Sequence, residues 1–327
     1  MAQHASSARS SSRQDRHSSI SILHGVFGDA AAQILSKKGY KLGKVIGEGS
    51  YCKVRLSSKL LDGGEHVKIA CKIINRKKAS HDFVTKFLPR ELDIIRHIDH
   101  PNIVKFYDII DINDCVYIFM EYCDRGDLLE HIRSKGALKE PKGRHYFRQL
   151  VSAVKYLHAL DITHRDLKCE NVLLVSDRSV KLTDFGFCRR CRDDGGKRVL
   201  SRTFCGSAAY AAPEILQGQP YNPKMYDVWS LGCILYIMVT ATMPFDDSNI
   251  KKMLRYQQER RLGFNGKNSE PLTAGVKRLI RHMLEPDITR RATMDQVAAD
   301  PWIYENDLHA FSGSHLSSLS SLQAADQ

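Results

Sequence analysis

The feature that most constrains this chain is a polar run, His164 to Asn171, set between two apolar segments. A helical pattern over residues 150–158 precedes it, and the strand-like run Val172–Val175 follows it. Polar side chains packed this closely between a helix and a strand must share a loop, where binding and catalytic residues concentrate. Its aspartate, lysine and asparagine (Asp166, Lys168 and Asn171) can therefore offer a base, a cation and a metal ligand to one place.

A second polar turn, Asp184-Phe185-Gly186, follows the strand-like residues 180–183. It places a second carboxylate on a loop next to Asn171. Oxygen donors on two adjacent loops suit Mg²⁺, which prefers one or two carboxylates together with phosphate oxygens. The alternative, that these are two ordinary polar turns, stays open for either triplet taken alone.

Composition narrows the class of protein. The chain has 327 residues, of which 43% are hydrophobic and 26% charged, as in soluble globular proteins of one or two domains. No apolar run is long enough to span a membrane, no secretory signal is recognisable, and Met1 is not followed by the glycine that myristoylation needs. The nine cysteines are odd in number and scattered, which favours a reduced, cytoplasmic location, with the nucleus as a second option.

The net charge of +12 comes from basic residues spread along the chain. Because no basic patch is interleaved with aromatic residues, we expect no specific nucleic-acid partner and no membrane partner. A basic surface that attracts acidic partners or anionic substrates accounts for the charge equally well.

Both ends of the chain differ in composition from its middle. Residues 1–39 are rich in Ser and Arg and are predicted to be disordered, with a short helical turn over Ala30–Leu35. The Ser-rich residues 304–327 are likewise predicted to be a disordered tail.

Ordered structure is predicted from Tyr40 onward. A strand at residues 41–46, the turn Gly47-Glu48-Gly49 and a strand at residues 53–56 form a hairpin. The dinucleotide-binding form of a G-x-G turn requires a helix after the turn. Because a strand follows here, the pattern favours a hairpin whose glycines let backbone N–H groups approach phosphates.

Lys72 interrupts the buried-strand pattern Ile69–Ile74. A lysine that faces a core is costly unless it is paired, so it either reaches solvent at the strand edge or finds a carboxylate. The next helical pattern, residues 87–96, supplies Glu91 beside its apolar face of Leu88, Leu92 and Ile95. Two more strands are predicted at residues 102–110 and 115–120.

From Leu128 onward the pattern is mostly helical. Helices are predicted at Leu128–Lys135, Glu140–Ala159, Val276–Leu284 and Met294–Ala299. A very apolar helix, residues 227–239, must be buried.

Together these motifs stand in the order found in protein kinases, which the chain resembles over residues 40–303. The set consists of the G-x-G hairpin, Lys72, H-R-D-x-K-x-x-N, D-F-G and Ala212-Pro213-Glu214. Lys168, two residues after Asp166, is typical of Ser/Thr kinases rather than Tyr kinases. The stretches Phe87–Leu92 and Thr203–Leu216, together with Cys169, are similar to the testis-specific serine/threonine kinases of the calmodulin-dependent kinase group.

The resemblance implies an α+β, bilobal protein kinase fold. A small antiparallel-sheet N-lobe with one main helix (40–122) would precede a larger, mostly helical C-lobe (127–303). It also implies an ATP- and Mg²⁺-dependent enzyme that phosphorylates protein Ser and Thr residues, acts in spermatid differentiation and is switched on by an upstream kinase or by autophosphorylation. The alternative is a scaffold that keeps the fold without catalysis. One departure is Cys52, which stands where the kinase pattern has a third glycine; we expect phosphate binding to survive with a stiffer loop.

The resemblance also assigns roles to individual residues. Asp166 and Lys168 would be catalytic, and Asn171 and Asp184 would hold Mg²⁺. Asp227 would brace the catalytic loop, residues 164–171, and Arg291 would pair with Glu214. The nucleotide would be bound by Ile46, Gly47, Glu48, Gly49, Val54, Ala70, Lys72, Glu91, Met120, Glu121, Cys123, Asp127 and Leu173, with Met120 as gatekeeper and Glu121 and Cys123 as hinge contacts.

Substrate choice is assigned to Asp127 and Glu170. Their carboxylates would pair an arginine upstream of the target residue by charge-assisted hydrogen bonds. The alternative is that Glu170 is a solvated loop charge. Ile237 stands where some basophilic kinases carry a further acid, so a second upstream arginine should matter less.

The activation segment, residues 187–211, is predicted to be the switch. Arg165 and Arg189 would form a pocket for a phosphate on Thr203, because two guanidinium groups repel unless an anion lies between them. Ser201 is the alternative phosphorylation site, and Ser207 the floor of the peptide site. The segment, with Gly195-Gly196 at its tip, should be mobile until it is phosphorylated.

The same segment carries Cys188, Cys191 and Cys205. A lone C-x-x-C is a weak zinc signal. A reversible disulfide to Cys205 and unrelated reduced cysteines are the two remaining interpretations.

Overall fold

A computed structural model of the chain describes residues 30–49, 51–192, 195–203 and 206–305. They divide into two compact units, each with its own core. The first comprises the chain up to Ser80 together with Phe106–Tyr122; the second comprises His81–Lys105 and the chain from Cys123 onward. Every helix in the described ranges is too short or too polar to span a lipid bilayer.

The first unit is built on a five-stranded antiparallel sheet with the strand order β1-β2-β3-β5-β4. This strand order and the antiparallel pairing confirm the predicted antiparallel sheet and the hairpin around the G-x-G turn. The strands are β1 (Tyr40–Glu48), β2 (Cys52–Leu60), β3 (His66–Asn75), β4 (Phe106–Ile112) and β5 (Cys115–Glu121).

One face of this sheet is covered by a helix, α1, over residues 30–37. Ala31 and Leu35 pack into the core of the unit, where the ring of Tyr40 stacks on Phe119 with centroids 3.8 Å apart. The helical turn predicted over Ala30–Leu35 is thus confirmed as part of a helix that extends to residue 37 and packs against the sheet. The disorder predicted for residues 1–29 and 306–327 lies outside the described residues.

Side chains alternate between the two faces along β3. Ile69 and Cys71 enter the core under α1. Ala70 and Lys72 therefore lie on the opposite face, where the register places Val54 across from Lys72 and Met120 across from Ala70. Four of the residues predicted to contact the nucleotide, Val54, Ala70, Lys72 and Met120, thus share one face of this sheet.

The second unit is mostly helical, and α4 and α6 form its centre. α6 is apolar around its whole circumference and buries 16 of its 18 residues, including Trp229. It begins at Pro223, four residues before the predicted start, because Asn222 caps it by accepting a hydrogen bond from the backbone N–H of Lys224 at 3.1 Å. The helices are α2 (Leu88–His97), α3 (Leu128–Lys135), α4 (Glu140–Ala159), α5 (Pro213–Leu216), α6 (Pro223–Thr240), α7 (Ile250–Gln258), α8 (Ala274–Met283), α9 (Met294–Ala298) and α10 (Pro301–Tyr304).

The predicted bounds of α3 and α4 are confirmed, and those of α8 and α9 differ by one or two residues. The segment His81–Lys105, which carries α2, belongs to the second unit, whereas the sequence analysis assigned it to the sheet lobe. The buried residues of α2 are Leu88, Glu91, Ile94 and Ile95; Leu92, predicted for the apolar face, is half-buried.

Two small antiparallel pairs hold the loops that follow α4. β6 (Ile162–Thr163) pairs with β9 (Arg189–Arg190), and β7 (Val172–Ser176) pairs with β8 (Ser179–Leu182). The polar run His164–Asn171 lies between β6 and β7, and Asp184-Phe185-Gly186 lies between β8 and β9. These strands thus position both polar turns. Because one unit is built on an antiparallel sheet and the other is mostly helical, the predicted α+β class is confirmed.

Candidate active site

The catalytic loop is held by the buried carboxylate of Asp227 on α6. Its Oδ2 accepts a hydrogen bond from the backbone N–H of His164 at 3.0 Å, and its Oδ1 accepts one from the N–H of Arg165 at 2.9 Å. The Nε2 atom of His158 lies 2.8 Å from the same Oδ2. Arg165 has a φ of 65°, a strained conformation for a residue with a side chain, and these contacts stabilise it. The predicted bracing role of Asp227 therefore has a direct structural basis.

Asp166 itself is only 3% exposed, and its carboxylate is oriented from two sides. The Nζ of Lys168 lies 2.9 Å from Oδ2, and the Nδ2 of Asn171 donates to Oδ2 at 3.1 Å and to the Asp166 carbonyl oxygen at 2.8 Å. Lys168 also donates to the hydroxyl of Ser207 at 3.2 Å. One oxygen of the base is thus fixed by a cation and an amide, and the same lysine links the catalytic loop to the activation segment.

Gly206 brings the activation segment against this loop. Its φ is +92°, and a Cβ atom there would lie 2.7 Å from the Arg165 carbonyl oxygen and 3.3 Å from Asp166 Oδ1. Only glycine fits both the backbone conformation and the close approach. Gly206 has no role predicted from the sequence; its position directly before Ser207 is the only available signal.

Asp184 is placed next to Asn171 by the backbone. The N–H of Thr183 donates to the Asn171 carbonyl oxygen at 2.9 Å, and Asp184 follows with a φ of 62°. A Cβ at Gly186 would lie 3.6 Å from Glu91 Oε2, so the buried α2 carboxylate lies beside the D-F-G turn. The structure therefore brings Asn171, Asp184 and Glu91 into one neighbourhood of the second unit.

This neighbourhood fits a magnesium ion. Because the Nδ2 of Asn171 is engaged by Asp166, its side-chain oxygen is the atom that would coordinate a metal together with the Asp184 carboxylate. Within the described ranges, no three His, Cys, Asp or Glu side chains gather into a metal-binding group. A pair of oxygen donors completed by phosphate oxygens is the arrangement that Mg²⁺ accepts.

The glycine-rich turn shows how the Cys52 departure is accommodated. The N–H of Gly49 donates to the Cys52 carbonyl oxygen at 2.8 Å, which closes the turn. A Cβ at Gly49 would lie 3.1 Å from Cys52 Sγ, so the thiol packs where a third glycine would leave space. Of the predicted nucleotide residues, Ile46, Gly47, Glu48, Gly49, Val54, Ala70, Lys72, Met120 and Glu121 belong to the first unit, and Glu91, Cys123, Asp127 and Leu173 to the second. The predicted Lys72–Glu91 ion pair would join residues of different units, and it stays a prediction.

Both predicted substrate carboxylates make local contacts. Asp127 caps α3 by accepting from the Glu130 N–H at 2.9 Å. Glu170 is exposed, and its Oε2 accepts a hydrogen bond from Tyr210 Oη at 3.2 Å. Glu170 is therefore not a freely solvated charge, since a buried tyrosine orients it.

Arg165 contacts the activation segment at two places. Its Nε donates to the Phe187 carbonyl oxygen at 2.8 Å, and its Nη1 donates to Ser201 Oγ at 3.1 Å. Ser201 is fully buried, whereas Thr203 is exposed. In this conformation a kinase cannot reach the Ser201 hydroxyl, which disfavours Ser201 as the alternative phosphorylation site.

A cluster of arginines surrounds this contact. Burial, together with the positive charges of Arg165 and Arg90, lowers the pKa of Arg189. Arg189 is therefore subject to the positive charge of Arg165, in line with the predicted pair, and also to that of Arg90, which follows Pro89 on α2 and has no predicted role.

Two cysteines of the activation segment, Cys188 and Cys191, form thiolates less readily than free cysteine does. Cys188 and Cys191 are 3% and 5% exposed, and burial raises the pKa of both thiols. The premise that mobile, exposed thiols oxidise is therefore wrong for this pair. Cys205 lies outside the described residues.

The activation segment is followed by the ion pair between Glu214 and Arg291, which the resemblance to protein kinases predicts. Arg291 donates to both carboxylate oxygens of Glu214, at 2.7 and 2.9 Å, and both side chains are buried. A bidentate ion pair of this kind fixes the orientation of both side chains. It anchors the end of the activation segment to the residues after α8.

Comparison with known proteins agrees with this geometry. A sequence profile of the protein kinase domain matches residues 40–303. The chain is 54% identical over 276 residues, 83% of its length, to the mouse testis-specific serine/threonine-protein kinase 1, of which the match covers 74%. It is 54% identical to the mouse testis-specific serine/threonine-protein kinase 2 over 75% of that protein, and 40% identical to the human testis-specific serine/threonine-protein kinase 4 over 84% of that protein. The chain has the bilobal protein kinase fold and belongs to the testis-specific serine/threonine-protein kinases.

Proposed function

We propose that this chain is an active enzyme that transfers the γ-phosphoryl group of ATP to serine and threonine hydroxyls of proteins. The observation that carries the proposal is the carboxylate of Asp166, fixed by Lys168 and Asn171 and approached by the backbone of Gly206. A scaffold would have no need of this arrangement. It therefore supports catalysis over the scaffold alternative.

In the proposed mechanism Asp166 orients the substrate hydroxyl and accepts its proton. The hydroxyl oxygen forms the new bond to the γ-phosphorus while the bond to the bridging oxygen breaks and ADP leaves. Phosphoryl transfer relies chiefly on positioning and charge stabilisation. Lys168 contacts both Asp166 and Ser207, which supports a role for it in steadying the γ-phosphoryl group near the acceptor.

Asn171 and Asp184 would hold Mg²⁺, which when bound neutralises charge on the phosphate oxygens. Lys72, paired with Glu91, would position the α- and β-phosphates, and the turn at Gly47–Gly49 would cover them. The remaining predicted nucleotide contacts, including the hinge residues Glu121 and Cys123, are part of this proposal.

We further propose that phosphorylation of Thr203, by an upstream kinase or by the chain itself, activates the enzyme. Thr203 is exposed, and burial together with the positive charges of Arg165 and Arg90 lowers the pKa of Arg189, so an anion beside Arg189 would be stabilised. A phosphate brings a charge of about −1.5 to −2 and oxygens that match guanidinium groups.

Substrates are proposed to carry an arginine upstream of the target residue, read by Asp127 and Glu170. The hydrogen bond from Tyr210 supports this for Glu170, because it holds the carboxylate in place. Ile237 is buried in α6 and offers no further charge. A role in spermatid differentiation is part of the proposal because the relatives are named testis-specific, and a location in the cytoplasm, with the nucleus as a second site, because the scattered cysteines favour a reduced compartment.

The proposal is tested by incubating the purified chain with labelled ATP, Mg²⁺ and a generic basic protein. We expect label on Ser and Thr of the basic protein, and its loss when EDTA removes the metal. Asp184→Asn should also abolish transfer, whereas Asp177→Asn, an exposed change of the same kind, should not. Nucleotide binding without any transfer by the wild type would favour the scaffold.

A further inference from the structure

A cavity outside the catalytic site lies behind the activation segment. It has a volume of about 420 Å³, within the range of ligand-binding cavities. The end of α4, the start of α6, the start of α9 and residues 198–200 line it. Leu200, Met225 and Met294 supply apolar surface, and Leu200 is 57% exposed.

The rim of the cavity is positively charged. Lys155 pairs with Asp295 at 3.2 Å, and Asp161 is shared by Lys224 at 2.6 Å and Arg192 at 2.7 Å. Arg198 lines the cavity and makes no ion pair with any residue that the structure describes. The lining therefore has two carboxylates, Asp161 and Asp295, and three cations, Lys155, Arg198 and Lys224, which favours an acidic or neutral occupant over a basic one.

The described chain ends close to this cavity and on its side of α4. Arg144 pairs with Glu305 at 2.6 Å, and Arg148 Nε donates to the Ile303 carbonyl oxygen at 3.1 Å. Lys155 follows Arg148 by seven residues, two turns on the same face of α4, or about 10 Å along its axis. From Ile303 to Glu305 the described chain runs along this face toward Arg144, away from Lys155, so a following segment that reaches the cavity has to turn back along α4.

The residues that follow Glu305 fit the cavity in charge and in apolar pattern. Residues 306–327 contain Asp307 and Asp326 and no Lys or Arg. Leu316, Leu319 and Leu322 recur at every third position, a spacing that makes side chains neighbours on a helical surface. At about 3.3 Å per residue the segment is far longer than the roughly 16 Å of α4 between Arg144 and Lys155. Residues 1–29, with three arginines and two aspartates, carry the wrong sign.

We infer that the leucines of residues 316–322, here called the C-terminal leucine segment, dock into this cavity of the same molecule. The leucines would pack on Leu200, Met225 and Met294, and the acidic residues on either side of the segment would lie near the cationic rim. Because Leu200 directly precedes Ser201, the docked segment would brace the activation segment from behind. The inference depends neither on catalysis nor on which residue is phosphorylated.

Hydrogen–deuterium exchange on the whole chain tests this docking. We expect amides of residues 316–322 and 198–200 to exchange at least about fivefold faster in the triple variant Leu316→Ser/Leu319→Ser/Leu322→Ser, because burial of the leucines is lost. The matched control, Ser317→Ala/Ser318→Ala/Ser321→Ala, keeps the leucines and should exchange like the wild type.

A substitution in the cavity itself distinguishes docking from an effect that is confined to the C-terminal segment. Arg198→Glu should release the C-terminal leucine segment to the same extent, whereas Lys197→Glu, at a neighbouring position that does not line the cavity, should not. Fast exchange of residues 316–322 in the wild type would overturn the inference. So would protection that disappears on tenfold dilution, since that would identify a second copy of the chain as the occupant.

Discussion

The guanidinium of Arg165 donates a hydrogen bond to the hydroxyl of Ser201 at 3.1 Å, and both side chains are buried. The backbone of Ser201 also exchanges two hydrogen bonds with Tyr221, each 2.9 Å long. The activation segment is thus tied to the catalytic loop by a neutral hydroxyl, two residues before the exposed Thr203. The Ser201 hydroxyl accepts a hydrogen bond from Arg165 but carries no negative charge, so it does not neutralise the arginine.

Ser201→Ala and Thr203→Ala should therefore have different effects. Loss of the Ser201 hydroxyl removes a partner from a buried cation, which costs about 1–3 kcal/mol, so basal activity of the unphosphorylated enzyme should fall about fivefold or more. Thr203→Ala should keep basal activity and lose the activation that phosphorylation provides. Rate measurements before and after phosphatase treatment distinguish the two. A Thr203→Ala enzyme that is fully active and insensitive to phosphatase would show that control lies elsewhere.

Gly206→Ala should inactivate the enzyme without unfolding it. The added Cβ would meet the Arg165 carbonyl oxygen at 2.7 Å and the hydroxyl of Tyr226 at 2.9 Å, so the catalytic loop or the segment must shift. Misplacement by a fraction of an ångström suffices to lower phosphoryl transfer greatly. Gly266→Ala, where nothing lies within 4 Å, is the control. Equal turnover of the two variants at equal melting temperature would contradict the proposed role of Gly206.

The catalytic loop and the D-F-G turn are predicted because each needs particular residue types at fixed spacing, and the Glu214–Arg291 pair is predicted from the resemblance to protein kinases. The sequence does not predict the contact between Gly206 and Arg165, since that depends on how a long segment returns to a loop some forty residues earlier in the chain. The burial of Ser201 is equally invisible, because backbone pairing with Tyr221 decides it. The helical turn at Ala30–Leu35 is predicted, but the sheet face that Ala31 and Leu35 cover is not, because strands distant in the sequence form that face.

The stability of the fold should fall as the pH rises above 9. Burial raises the pKa of the thiols of Cys71 and Cys169 to about 12, compared with 9.0 when unperturbed. Above pH 9 the unfolded chain loses these protons while the folded chain keeps them, so the unfolded state is favoured. Each thiol then contributes up to about 1.4 kcal/mol of lost stability per pH unit.

Denaturant unfolding between pH 7 and 10 measures this effect. Cys71→Ala lowers stability at every pH, because it leaves a cavity, but should flatten the decline above pH 9. A decline of the same slope in the variant would show that Cys71 does not keep its proton in the folded state.

Glu170→Arg should weaken the preference for peptides with an upstream arginine. The reversal replaces an oriented carboxylate with a like charge, and close charge pairs of this kind change discrimination strongly. A peptide-array assay that varies the upstream residue measures the preference. Glu259→Arg, which removes a carboxylate paired with Arg261, is the charge-matched control. An unchanged arginine preference in Glu170→Arg would remove Glu170 from the substrate site.

The measurement that tests the central claim most directly is the turnover of Asp166→Asn beside its affinity for ATP. Asparagine keeps the size of the side chain but cannot accept the substrate proton, so kcat should fall by about 10²–10⁴-fold, the usual contribution of a positioned base. The affinity for Mg·ATP and the melting temperature should stay near those of the wild type. Loss of turnover with nucleotide binding intact is the result predicted here; an Asp166→Asn enzyme with wild-type turnover would contradict the assignment of Asp166 as the catalytic base.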